Sequence, residues 1–255
     1  TFQINRRTYA GAANVQPWNP FLWAVPDTQL VALTASARNV LFINRAQPRW
    51  DASLSYGSQS NQVTLNTGFE RRQNNDLLLH GRWNFNQLWT IEAHATKGNK
   101  NSDHQVFNTR DFAITYLETG PKLTWVAQKN LRFIAQYAFQ KSRNTLSGGE
   151  KADQTHIHLE TTWNPAGKEN TQGFRASTSV RLKCTFARIR YTGQPNTAVA
   201  FNMLEGLQNG RNVLWSILAD RQLSKTLQIS VNYEGRKTAS NRTIHVGRAQ
   251  VRALF

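Results

Sequence analysis

The chain has 255 residues and a formal net charge of +16, from 31 Lys and Arg against 15 Asp and Glu. Its one cysteine, Cys184, excludes an internal disulfide and a metal site built from several thiolates. No apolar run approaches the roughly 18 residues of a transmembrane helix, and the positive charge favours a polyanionic partner such as nucleic acid, anionic lipid or lipopolysaccharide phosphate.

The first 27 residues are predicted to form an irregular N-terminal segment that acts as a plug or lies in the periplasm. Pro17, Pro20 and Pro26 fall within it, and proline interrupts regular strands and helices. The chain begins with neither Met nor a signal peptide, which is expected of a mature chain or a fragment. Residues 28–255 contain no linker rich in Gly or Ser, so we predict one further domain over that range.

Apolar residues recur at every second position along most of this domain, as in LRFIAQYAF at 131–139. The same alternation appears in 50–56, 63–69, 77–85, 89–96, 156–163, 176–186, 213–219, 227–234 and 245–255. A period of two is typical of β-strands with one apolar face and one polar face. The pattern predicts about 12 strands, within a range of 10–14, and almost no helix. We expect AFNMLEGLQNG at 200–210 to be a loop with at most one helical turn.

The connections between these strands alternate in length. Short ones are predicted near 46–48, 86–87, 128–130, 165–171 and 223–225, and longer ones near 58–62, 97–105, 143–152, 193–210 and 238–242. This alternation requires that 63–85 and 106–127 each form one long strand. In the second range the apolar parity changes from even at Phe112 to odd at Leu123, so we expect a bulge or turn at ETGP, 118–121.

Aromatic residues separate between the two ends of the predicted strands. Tryptophans lie close to the short turns, tyrosines lie toward the longer loops, and a phenylalanine ends the last strand: Trp50, Trp83, Trp89, Trp125, Trp163; Tyr56, Tyr137, Tyr191, Tyr233; and Phe255. Amphipathic rings collect at the two interfaces of a membrane. The sequence therefore predicts an all-β, antiparallel up-and-down transmembrane β-barrel with short turns on one side and longer loops on the other, in the bacterial outer membrane.

The faces opposite the apolar series carry many cations. Those expected to face the lumen are Arg82, Lys122, Arg132, Arg175, Arg181, Lys183, Arg248 and Arg252. They are interpreted either as an anion-attracting lumen or as a solvated polar face that also meets lipopolysaccharide phosphates at the rim. A second set lies mostly at the loop ends, where outer-leaflet lipid phosphates are expected: Arg71, Arg72, Lys97, Lys100, Lys141, Arg143 and Lys151.

Four stretches resemble the C-terminal region of large, poorly characterised outer-membrane proteins from Bacteroidota. They are FINRAQPRWD (42–51), LNTGFERR (65–72), MLEGLQNGRN (203–212) and VGRAQVRALF (246–255), and the likeness extends from about residue 28 onward. The resemblance implies an outer-membrane location and a role beside secretion or envelope-assembly machinery. It brings no defined activity with it.

The sequence leaves two alternatives to a non-enzymatic barrel. An outer-membrane lipid hydrolase could use His80, His94, His156 or His158, but no GxSxG motif or fixed Ser–His spacing supports it. A soluble nucleic-acid-binding protein would place basic and aromatic residues on a shared face, whereas here they mostly take opposite faces.

The sequence therefore predicts a transport component or a docking subunit of a larger envelope complex, with a basic lumen. The expected partners are outer-membrane lipid, lipopolysaccharide and other envelope proteins, and nucleic acid is not expected. No catalytic residue, metal or cofactor is predicted.

Overall fold

The computed structural model describes residues 1–8, 30–45, 49–65, 68–146, 149–165, 177–224, 226–239 and 241–253. Twelve strands form one sheet, in which every strand pairs with its neighbours in chain order. The strands are β1 (Phe2–Thr8), β2 (Leu30–Ile43), β3 (Trp50–Leu65), β4 (Gly68–Asn84), β5 (Trp89–His104), β6 (Phe112–Gln128), β7 (Leu131–Asn144), β8 (Lys151–Trp163), β9 (Thr178–Thr192), β10 (Gly210–Gln222), β11 (Leu227–Thr238) and β12 (Ile244–Ala253).

This arrangement confirms the predicted fold class, an all-β, antiparallel up-and-down β-barrel of about 12 strands. A 3₁₀ turn at Asn108–Arg110 and one short helix, α1 (Ala198–Leu204), complete the regular elements of the described residues. No helix among them is long and apolar enough to cross a membrane. Within those residues no backbone pair joins β1 to β12.

The N-terminal segment, residues 1–27, begins with a strand. Residues 2–8 form β1 and pair with β2, from Phe2 opposite Ala37 to Arg7 opposite Ala32. Backbone pairing with a neighbouring strand overrides the irregular composition of the range as a whole. The rest of that segment, 9–27, lies outside the described residues. The predicted plug or periplasmic segment falls mostly within this range.

The pairing register assigns every strand residue to one of two faces, because successive side chains point to opposite sides of a sheet. We define the inner face as the one that contacts α1, where the Gln154 side chain donates a hydrogen bond of 2.5 Å to the Met203 carbonyl. The outer face carries the apolar series, such as the cross-strand pair Leu54 and Leu79, which are 40% and 55% exposed. Large apolar side chains thus point outward, as expected of a barrel that faces lipid.

Strands β3 and β5 are longer than predicted. The expected loops at 58–62 and 97–105 are wrong, because β3 runs to Leu65 and β5 runs to His104. Residues 63–85 hold the end of β3 and all of β4 instead of one strand. The outer face of these strand ends is polar, as at Ser60 and Asn99. The ladder continues there although the alternation of apolar and polar residues stops.

No turn or bulge occurs at 118–121, so this prediction is also wrong. Strand β6 keeps one register against β5 throughout, and its register against β7 is the same on both sides of Gly120 and Pro121. Phe112 and Ile114 lie on the inner face instead, where they are 7% and 2% exposed. The apolar parity changes because these two side chains pack inside the barrel.

The partner of Phe112 and Ile114 is helix α1. A buried cluster joins these two residues to Ala152, Val199 and Met203. The helix starts after Thr197, whose hydroxyl oxygen accepts a 3.0 Å bond from the Ala200 amide, and it ends at Glu205 in the left-handed conformation. The predicted loop at 200–210 is thus a capped helix held by its apolar side, with Val199 and Met203 one turn apart.

We expect Met203→Ala to release α1 from the inner face. Met203 is 1% exposed, and truncation of a buried methionine costs about 2–5 kcal/mol. Hydrogen exchange of the backbone amides in 198–204 should therefore accelerate more than about tenfold. Phe201→Ala is the matched control, because Phe201 lies on the same helix and is 70% exposed. Equal exchange rates in the two variants would contradict the packing described here.

Candidate functional site

A row of inner-face residues crosses the barrel wall from β3 to β11. The registers place them opposite one another in sequence: Asp51, Arg82, Glu92, Lys122, Gln136, His158, Thr185, Leu214 and Arg236. We call this set the central inner row. It brings together side chains from nine strands, and most of them are charged or hydrogen-bonding.

Carboxylates neutralise the first half of the central inner row. The Arg82 guanidinium contacts the Asp51 carboxylate directly. Glu92 Oε2 lies 3.0 Å from Lys122 Nζ and 3.7 Å from His80 Nε2. The Lys122 and Glu92 side chains are 29% and 22% exposed, so this part of the wall is both paired and hydrated.

On β8, the Glu160 carboxylate lies close to three basic side chains at once. Its carboxylate lies 3.5 Å from Arg181 Nε, 3.6 Å from Lys183 Nζ and 3.7 Å from His158 Nε2. The Glu160 side chain is 18% exposed, whereas Arg181 and Lys183 are more than 40% exposed. One negative charge shared by two permanent cations leaves this region positive.

Three other cations predicted to line the lumen are on the inner face without an ion-pair partner among the described residues. The register places Arg132, Arg248 and Arg252 on the inner face, and all three are exposed. None forms an ion pair within the part of the chain that the structure describes. Arg175 lies outside the described residues. Arg236 is an inner cation that the sequence analysis missed, although it has the same parity as Asn232 and Glu234 on its strand.

Lys183, Glu234 and Arg236 also line a cavity of about 410 Å³ on the inner face. His158, Thr185 and Ser216 contribute hydrogen-bonding groups to the same cavity. The lining of the cavity comes from five neighbouring strands, β8 to β12. Its two permanent cations outnumber its one carboxylate, which suits an anionic or zwitterionic group.

The predicted tryptophan girdle lies on the outer face beside the connections at 44–49, 85–88, 129–130 and 164–177. Trp50 pairs with Trp83 across β3 and β4, and Trp89 stacks on Trp125 with ring centroids 5.2 Å apart. Trp163 is the last residue of β8 and lies opposite Leu131.

The predicted tyrosine girdle is divided. Tyr56, Tyr137 and Tyr233 lie on the outer face, farther along their strands from the tryptophan end. Tyr191 does not, because it lies on the inner face and packs against the buried cluster beside α1. Helix α1 lies inside the barrel beside Tyr191. The ring therefore has an apolar contact on the inner face, where the prediction expected a contact with lipid on the outer face. Phe255 lies outside the described residues.

The loop-end cations are divided between the two faces. Arg72 and Lys100 face inward, toward Glu70 and Glu205 at 2.6 and 3.9 Å. The others face outward, and the outer set continues past the predicted ones: Arg71, Lys97, Lys141, Arg143, Lys151, Arg188, Arg190, Arg211 and Lys237. Arg188 and Arg190 follow Phe186 at every second position of β9. The sequence alternation alone would therefore have placed both arginines on the outer face with Phe186.

The four histidines considered for catalysis all lie on the inner face. His80 and His94 are cross-strand neighbours, and His94 Nε2 lies 3.1 Å from Glu118 Oε1. His156 Nε2 is 3.1 Å from Gln154 Oε1, and His158 Nδ1 is 2.9 Å from the Thr185 hydroxyl. No serine hydroxyl bonds to these four rings among the residues described. In the same residues no group of three His, Cys, Asp or Glu side chains is placed to hold a metal ion.

Comparison with known proteins gave matches among solved structures alone. No family model and no curated protein matches the chain. The NanC porin is 13% identical, with a TM-score of 0.38 over 88% of this chain and 94% of that one. The β domain of the Bordetella autotransporter BrkA is 9% identical, with a TM-score of 0.43 over 88% and 91%. LpxR from Salmonella typhimurium is 6% identical, with a TM-score of 0.33 over 88% of each chain.

We expect Glu160→Gln to destabilise the barrel, because Arg181, Lys183 and His158 would lose their shared carboxylate. An ion pair between partly exposed side chains contributes about 0.2–1 kcal/mol, and Glu160 has three such partners, so we expect a loss of about 1 kcal/mol. The measurement is the urea dependence of unfolding for protein refolded into vesicles. Asp103→Asn is the control, because Asp103 is exposed on the outer face and should change stability by less than about 0.5 kcal/mol. Equal losses in both variants would show that the shared carboxylate contributes nothing.

Proposed function

We propose that this protein is a bacterial outer-membrane β-barrel without catalytic activity, which acts as a transport component or a docking subunit of a larger envelope complex. The observation that carries the proposal is the outer face. It presents exposed apolar residues between a tryptophan row at one end and a tyrosine and cation zone at the other.

The exposed apolar area supports a membrane location over a soluble one. Leu79, Leu182 and Val231 are 55%, 43% and 44% exposed, and they belong to an apolar outer surface that runs across the strands. A soluble monomer rarely exposes an apolar surface of that extent. This argument also weighs against a soluble nucleic-acid-binding protein, which would leave the same surface in water.

The inner face supports a role other than that of a wide open pore. Helix α1 packs inside one end of the barrel, and Gln154, Asn144 and Asn212 beside it are at most 2% exposed. Farther down the wall, the central inner row is paired and half exposed. A molecule that crosses this barrel would have to pass α1, whereas a docked partner would not.

Membrane insertion can be tested with a matched pair of neighbouring leucines. Leu79 faces outward and Leu78 faces inward, so Leu79→Arg places a charge against lipid and Leu78→Arg places it against the hydrated wall. We expect Leu79→Arg to lower the free energy of unfolding from phospholipid vesicles by about 2–4 kcal/mol near the bilayer midplane. Leu78→Arg should lower it by clearly less. Equal effects, or failure of the wild-type protein to insert into vesicles, would reject the membrane barrel.

Transport can be separated from docking by planar-bilayer conductance. Because α1 occupies the interior, the wild-type protein should conduct poorly, and replacing 198–204 with a Gly-Ser segment of equal length should raise conductance. The opened barrel should prefer anions, because Arg181 and Lys183 exceed the charge of Glu160. Steady wild-type conductance equal to that of the replacement variant would show that α1 does not close the barrel.

A further inference from the structure

A cavity also lies on the outer face, away from the lumen. It is a groove of about 730 Å³ that crosses β3 to β8. One row of its lining comes from residues that the register places opposite one another: Tyr56, Leu77, Lys97, Leu117, Lys141 and Asp153. The next outer row contributes Arg143 and Lys151. We call this cavity the outer groove.

The outer groove combines two kinds of surface. Tyr56, Leu77 and Leu117 are 47%, 44% and 50% exposed and form its apolar part. Lys97, Lys141, Arg143 and Lys151 supply four positive side chains within the same groove, and all are exposed. The groove lies where the apolar outer rows give way to polar ones, for Tyr56 is followed outward by Ser58 and Ser60 on β3.

The cations of the outer groove are free to bind a ligand. None of the four forms an ion pair in the described part of the chain, although Lys141 also lies 5.4 Å from the centre of the Phe139 ring. Two carboxylates belong to the lining. Asp153 is on the outer face between Lys141 and Arg190, and Asp76 is on the inner face. The outer part of the groove therefore keeps an excess of positive charge.

We infer that the outer groove binds a phosphorylated lipid of the surrounding leaflet. The phosphate lies among Lys97, Lys141, Arg143 and Lys151, and an acyl chain runs along Tyr56, Leu77 and Leu117. Lysine and arginine near a membrane surface attract anionic headgroups. The apolar side chains share a row with Lys97 and Lys141 and lie one outer row nearer the tryptophan end than Arg143 and Lys151. This inference rests on the proposed membrane location and adds a ligand class to it.

A free phosphate ion fits the observations less well than a lipid does. It would use the cations and leave the apolar half of the groove unoccupied. A peptide partner would meet backbone groups that are already paired, because β3 to β8 are all interior strands of the sheet. Of these three ligands, only a lipid would contact both the cations and the apolar side chains of the outer groove.

The test uses native mass spectrometry of the full chain in detergent, with diphosphoryl lipid A and monophosphoryl lipid A as probes. The groove variant carries Lys97→Gln, Lys141→Gln, Arg143→Gln and Lys151→Gln. We expect the wild-type protein to prefer the diphosphoryl probe and the groove variant to bind it at least about tenfold more weakly. Millimolar inorganic phosphate should not displace the bound lipid; displacement would show a free-phosphate site and overturn the inference.

The control removes four outer cations that do not line the groove: Arg188→Gln, Arg211→Gln, Arg221→Gln and Lys237→Gln. This variant has the same net charge as the groove variant and should change affinity less than about twofold. Should the groove variant fold poorly, Lys97→Arg with Lys141→Arg and Lys151→Arg keeps the charge and should retain binding. Equal losses in groove and control variants would reject the site while leaving membrane insertion, tested separately at Leu79, unaffected.

Discussion

The sheet has a single layer, so each side chain points to one of only two faces, and the pleat assigns them alternately. A shift of one residue would exchange the two environments for a whole strand. The registers from β3 to β6 run without a shift, and they place Trp50 beside Trp83 on the outside while Asp51 meets Arg82 on the inside. The apolar outer surface, the paired inner wall and the cationic rim all depend on this constant register. Each consists of rows of side chains from several strands, and a slip of one strand would interrupt every row.

The sequence predicted the strands well wherever the outer face meets an apolar environment, and poorly elsewhere. LRFIAQYAF begins β7, and its odd residues lie outside as the alternation indicated. The far ends of β3 and β5 are predicted as loops because hydropathy reports the surroundings of a side chain and not the hydrogen bonds of its backbone. At Ser60 and Asn99 both faces of the strand are polar, so no periodicity remains to be read. The ladder persists there because each backbone group still pairs with the adjacent strand.

The division of charge between the faces could be predicted only in part. Total charge is visible in the sequence, but which carboxylate neutralises which cation depends on pairing between strands. Glu92 and Lys122 are 30 residues apart in the chain and meet because β5 and β6 are neighbours. Most interior positive charge is offset in this way, whereas the outer cations along β7 to β10 have no acidic row beside them. The excess of Lys and Arg in this chain is therefore concentrated at the outer rim and in the exposed inner arginines of β7, β11 and β12.

Two errors of the sequence analysis have one cause. Phe112 and Ile114 changed the parity of β6, and Tyr191 was assigned to the outer girdle, because a barrel wall was assumed to meet only lipid or water. Helix α1 supplies a third environment, a packed apolar interior at one level of the barrel. An apolar pair of the wrong parity, on a strand whose register does not shift, thus indicates a non-strand element inside the barrel. The complementary signal lies in α1 itself, where Val199 and Met203 are spaced to place one apolar side against that wall.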